Sequence, residues 1–255
     1  MRSMESITFC IPFYGKEEKH TLILKTCVER IRLFYPNNPI LICKTSDSLF
    51  PDLSMYSAIG VHNTFVDGSH VFGAIELLLR KCTTEKFLIC HDSMFLLKEL
   101  PSRVVYKELY ALWHFKEQFQ YFYHQDLLVK SCMAATKISY GELEVILEMG
   151  SSDLNRVCTG LFGPAFGGSI HTLKKVWDIL NISEETIQPY LGRQGLMASE
   201  RVFSVIFKYM GFDTSLSLNG DIYEHPGRFE TNTIPPFENV KYPSSYFFKI
   251  WQGRV

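Results

Sequence analysis

No glycine-rich phosphate cradle occurs in this chain. GxGxxG does not follow its first apolar strand and GxxxxGK[ST] is absent throughout, which disfavours both a dinucleotide-binding fold and a P-loop enzyme. Long apolar runs are missing too. No stretch reaches the ~18 residues that a bilayer-crossing helix needs, and the opening MRSMESITFCIPFYG holds no apolar signal core. The expectation is a soluble, cytoplasmic protein with no transmembrane segment. Nor is there an excess of one charge. The 26 Lys and Arg and 27 Asp and Glu give a net charge of −1 and are spread along the chain, so no nucleic-acid partner is expected. A small polyanion remains open, because it needs only a local patch. The seven cysteines never form CxxC and have no histidine at zinc-finger spacing. They read as reduced core residues rather than metal ligands.

What the chain does have is apolar and aromatic material, 46% and 14% of 255 residues, enough for a large α/β core. The first 100 residues alternate strand and helix. Ile7–Phe13 reads as a strand, Lys16–Phe34 as a helix, Ile40–Cys43 as a strand, Ile59–Phe65 as a third, Val71–Lys81 as a helix and Phe87–Cys90 as a fourth strand. Such alternation implies a parallel sheet with right-handed crossovers, whose ligands bind beyond the carboxyl ends of the strands. Further on, the many aromatics of residues 104–126 read chiefly as packing, and Tyr140–Met149 as a helix. The glycine-rich Thr159–Ser169 reads as a loop that either approaches a ligand or leads tightly into a helix near Ile170. The closing YFFKIWQGR suggests a lid in which Lys249 and Arg254 face a diphosphate, or else a solvated tail with a buried tryptophan.

Within this pattern the segment FLICHDSMFLL, Phe87–Leu97, drives an apolar strand into His91-Asp92-Ser93 and then turns apolar again. Burying an unpaired carboxylate is costly. Asp92 therefore belongs at the sheet's carboxyl edge, facing a ligand or cation, or else caps a turn at Ser93. Two other strand ends, Tyr14-Gly15 and Thr45-Ser46-Asp47, are polar in the same way. All three should converge. A nucleotide held without a glycine cradle commonly relies on a divalent cation at its diphosphate, for which Asp92 is a suitable hard ligand.

The opening strand with Ile11-Pro12-Phe13-Tyr14, the second strand reaching Asp47, the helix after Gly68, His91-Asp92-Ser93 in the place of an Asp-x-Asp motif, the glycines of Gly160–Lys175 and the helix of Gly195–Gly211 follow in an order that resembles the GT-A fold, nucleotide-sugar-dependent glycosyltransferases. The resemblance touches about 200 residues. It implies a GT-A-like, Rossmann-like α/β fold with a mostly parallel central sheet flanked by helices. It further implies one domain over 1–255, with a nucleotide-binding half at 1–100 and an acceptor-side half at 101–255.

The implied reaction is inverting hexosyl or pentosyl transfer from a nucleoside diphosphate sugar, UDP- or GDP-linked, to a hydroxyl of a glycan or other acceptor. By the same resemblance Pro12, Phe13 and Tyr14 would meet the nucleotide and Asp47 the base or ribose, while the lid reading of the closing segment puts Lys249 at the diphosphate. Asp92 and His225 would hold Mn2+ or Mg2+, and Glu200, with Asp221 in reserve, would act as the catalytic base. Two departures stand out: the Asp-x-Asp is reduced to Asp92, and a single Asp47 replaces the usual acidic pair. Two alternatives follow, a non-catalytic binding or scaffold protein on the same fold and a sugar-nucleotide nucleotidyltransferase.

Overall fold

A computed structural model describes residues 6–63, 65, 69–116, 125–148, 159–190, 192–224, 228–229, 234, 236–237 and 244–250. The strands are β1 (Ile7–Phe13), β2 (Ile40–Lys44), β3 (Ala58–His62), β4 (Lys86–Ile89), β5 (Met94–Leu96), β6 (Leu109–Ala111), β7 (His114–Lys116), β8 (Thr159–Leu161), β9 (Phe166–Ser169), β10 (Arg228–Phe229) and β11 (Phe247–Ile250). The helices are α1 (Glu18–Phe34), α2 (Val71–Lys81), α3 (Ser102–Val105), α4 (Gln125–Ala135), α5 (Tyr140–Ile146), α6 (Ile170–Ile179) and α7 (Gly192–Tyr209).

The fold is α/β, built on a six-stranded sheet in the order β3-β2-β1-β4-β9-β6. β1 pairs in parallel with β2 and β4, and β2 with β3, while β9 runs antiparallel between β4 and β6. The mostly parallel central sheet expected from the alternation is therefore present. β1 is buried along its whole length because both faces are covered, as parallel sheets require. Cys10, Phe87 and Ile89 point into one core, with α2, α6 and α7. Phe9, Ile11 and Leu88 point into another, with α1, β5, β11 and Trp113. α1 begins two residues later than its periodicity suggests. The Glu17 and Lys16 N–H groups both donate to His20 Nδ1 at 3.3 Å, so the chain turns before the helix starts.

Several expectations fail for local reasons. Thr159–Ser169 is not a loop but the strands β8 and β9 around a turn at Gly163. Its glycines serve close strand packing, since a Cβ on Gly168 would stand 2.2 Å from the Glu108 carbonyl oxygen. The closing segment is not a lid as far as Ile250: β11 is fully buried and pairs antiparallel with β5. The expected third strand ends at His62 rather than Phe65, and α5 ends at Ile146 rather than Met149. His225, Trp251 and Arg254 lie outside the described residues. Among the described residues no helix is long and apolar enough to cross a membrane.

Candidate functional site

The strand order reverses beside β1: β2 and β3 are added on one side of it and β4 on the other. At such a reversal the loops leaving the strands' carboxyl ends part, and a crevice opens. A cleft is found at that point. One side is formed by Pro12 and Tyr14 from the end of β1, another by Ile89, His91 and Asp92 from the end of β4, and the remainder by His70 and Val71 at the start of α2 and by Gly163-Pro164 between β8 and β9.

The β4 wall is held from below. The Met94 N–H donates to the His91 carbonyl at 3.0 Å, closing a turn over which Asp92 is only 4% exposed. The Cys27 thiol donates to the Met94 carbonyl at 3.2 Å, and the Ile250 N–H to the Ser93 carbonyl at 3.1 Å. Lys249 Nζ, buried on β11, donates to Ser93 Oγ. Asp92 and Lys249 act with opposite signs on both the His91 ring and the Cys27 thiol, so carboxylate and ammonium share one neighbourhood. Burial first, and then the Lys249 charge, push the His91 imidazolium down to about 3. His91 is therefore neutral at physiological pH. Its Nε2 faces the Gly163 carbonyl oxygen, which can only accept, so Nε2 carries the proton and Nδ1 the lone pair.

The turn that receives His91 is fixed from its other side. Gly163 has φ +59° and its N–H donates to Glu200 Oε1 at 2.8 Å. Opposite, the Tyr14 ring meets the His70 ring edge-on at 4.5 Å. His70 stands at φ +46°, an uncommon conformation for a residue with a Cβ, as the residue that caps α2. The amino end of α2, with its positive dipole end, thus borders the cleft through Val71.

Of the residues singled out from sequence, Pro12, Tyr14 and Asp92 are brought together on the cleft wall. Lys249 lies beneath them. Phe13 turns away into the core, 1% exposed and edge-on to Phe50. Asp47 lies on the surface, where its contact with the Lys16 ammonium first, and then a hydrogen bond from Thr45 at 3.0 Å, hold its carboxyl below the usual range. Glu200 sits in the middle of α7 rather than at its start, 13% exposed, behind the Gly163 turn and 3.8 Å from Arg201. Asp221 is 8% exposed and accepts backbone N–H groups on both oxygens, from Lys116 at 3.1 Å and Tyr223 at 2.9 Å. Neither acid is among the residues that line the cleft. His70 is not among the residues singled out from sequence, and His91 is there only as a flank of Asp92, whereas Gly163 and Pro164 belong to Thr159–Ser169, the segment for which approach to a ligand is one of two readings, and they stand on the cleft wall. The Gly-Pro pair after an apolar strand was the available signal for the turn.

A divalent cation is not well matched by what is described. Among the described residues no group of three or more His, Cys, Asp or Glu could hold a metal ion. Beside Asp92 stands a lysine charge, and His91 Nε2 is engaged at Gly163.

No protein-family model matches the chain, and no curated protein matches it. Among solved structures it is similar to the galactosyltransferase LgtC in complex with donor and acceptor sugar analogues. That match has TM-score 0.40 and 9% identity, covering 79% of this chain and 70% of that one. An active-site mutant of LgtC is similar at TM-score 0.44 and 11% identity, with the same coverage. Likeness this loose carries no information about chemistry.

Proposed function

We propose that this chain is a glycosyltransferase of the GT-A kind that binds a nucleoside diphosphate sugar in the cleft between the ends of β1 and β4. One observation carries the reading: Pro12 and Tyr14 face His91 and Asp92 across the reversal of strand order, at the carboxyl edge of a parallel sheet. The diphosphate would lie against the amino end of α2, where helix amides and dipole favour an anion, with the Lys249 ammonium adding positive potential from below. Tyr14 would pack against the base or sugar, and Asp92 would accept hydrogen bonds from hydroxyls. In the transfer the bond from the anomeric carbon to the diphosphate oxygen breaks, its electron pair leaving with the diphosphate. The acceptor oxygen bonds to the same carbon and gives up its proton to solvent water, so that nucleoside diphosphate and the new glycoside are the products. No step is assigned to Mn2+ or Mg2+.

The test is a thermal-shift screen of UDP, GDP, CDP and dTDP and their sugars, each with and without manganese. Stabilisation by one base is expected, about 2.7 kcal/mol at ~100 times the dissociation constant, and Asp92→Ala should remove it. Failure of every nucleotide to raise the midpoint would sink the proposal. A non-catalytic nucleotide-binding protein is the second reading, favoured by the single Asp92 with a lysine charge in its neighbourhood. It predicts binding without release of nucleoside diphosphate from any sugar donor.

A further inference from the structure

Glu200 has a task in this fold that needs no proton transfer. Gly163 uses both of its polar groups between two elements far apart in sequence. Its N–H donates to Glu200 Oε1 on α7 at 2.8 Å, and its carbonyl accepts from His91 Nε2 at the end of β4. The residue cannot readily be anything but glycine. Its φ of +59° lies in the left-handed region that residues with a β-carbon rarely adopt, and a Cβ there would stand 2.5 Å from His91 Cε1. The turn it forms, with the Ala165 N–H donating to the Phe162 carbonyl at 3.3 Å, puts Gly163 and Pro164 on the cleft wall. Glu200 is held on a helix rather than a loop, next to Arg201, which is itself buried and anchored to the Met197 carbonyl at 2.7 Å.

We infer that Glu200 is a positioning residue: through Gly163 it fixes the turn that holds the His91 imidazole as the Nε2–H tautomer, which leaves Nδ1 as the ring's acceptor. A carboxylate accepting a backbone N–H orients that peptide more strongly than a neutral acceptor does. The peptide in turn selects the tautomer, because a carbonyl accepts only from a protonated nitrogen. This role differs from general-base catalysis in what it demands of the side chain. A positioning acceptor needs only an oxygen at the right place, which glutamine also supplies; a base needs a carboxylate.

The turnover part of the test rests on the transferase reading, and the spectroscopic part does not. Protein labelled with 15N at its eight histidines is compared as wild type, Glu200→Gln, Glu200→Ala and Gly163→Ala, with the His91 ring assigned by difference from His91→Gln. Wild type and Glu200→Gln should show a single Nε2–H tautomer at His91, while Glu200→Ala and Gly163→Ala should show a mixture. In turnover, Glu200→Gln should stay within about tenfold of wild type and Glu200→Ala fall further, whereas loss of a general base lowers the rate ~10²–10⁴-fold in either variant. A His91 tautomer that survives Glu200→Ala, or a Glu200→Gln variant as inactive as Glu200→Ala, overturns the inference. Should Glu200→Ala or Gly163→Ala not fold, Glu200→Gln alone still decides between an oxygen acceptor and a base. If wild type binds no nucleotide, the transferase reading fails and the tautomer result stands by itself.

Discussion

His91 shows how one residue can couple the site to stability. Its imidazolium is pushed down to about 3 by burial and by Lys249, against about 6.5 in an unfolded chain. Between those values the unfolded state binds more protons than the folded one, so stability is lost as pH falls from about 6.5 toward 3. The slope approaches about 1.4 kcal/mol per pH unit. Urea midpoints measured from pH 7 to 4.5 should fall more steeply for wild type than for His91→Gln, even if that variant starts lower. Parallel curves would mean that His91 is not held neutral. Asp92 was legible from sequence because a charge inside an apolar run demands a reason; His91 was read only as its flank, since nothing local marks a histidine whose partner, Gly163, is 72 residues away.

Elements were readable where their signal is local. α2 covers the Val71–Lys81 that its periodicity predicts. α5 starts where Ser139 and Glu142 form a capping box, the Ser139 N–H donating to Glu142 Oε2 at 2.8 Å. Ser139→Ala should lower stability by about 1 kcal/mol, seen as a lower thermal midpoint with the cleft unaffected; an unchanged midpoint would mean that the cap contributes nothing. β8 and β9 were misread because glycine normally signals a loop. Here β9 needs glycines for close approach to β6: a Cβ on Gly168 would meet the Glu108 carbonyl oxygen at 2.2 Å and on Gly167 the Tyr110 hydroxyl at 2.4 Å. Gly168→Ala collides with backbone, which cannot swing aside, and should cost about 1–3 kcal/mol in denaturant unfolding. A neutral result would contradict that spacing.

At the scale of the whole molecule, the helices on one face of the sheet are joined through aromatic rings. Phe203 on α7 is fully buried, its ring centroid 5.4 Å from that of Phe72 on α2 and 5.7 Å from that of Phe166 on β9. Phe203→Ala should therefore cost about 3–5 kcal/mol by urea unfolding. It should also loosen the Gly163 turn, because the same helix carries Glu200. A loss below about 1 kcal/mol would show that the face does not pack as a unit. The sequence by itself determined the alternation of strands and helices, the parallel core sheet and the polar strand ends at Tyr14 and Asp92, because these follow from periodicity and from the cost of burying charge. Only the tertiary structure decided that β4 lies on the far side of β1 from β2, that Gly163 and His70 complete the cleft, and that Lys249 is a buried strand residue rather than part of a lid. The physical reason is that strand order and contacts between distant segments depend on which faces bury each other, and no local stretch of chain encodes that choice.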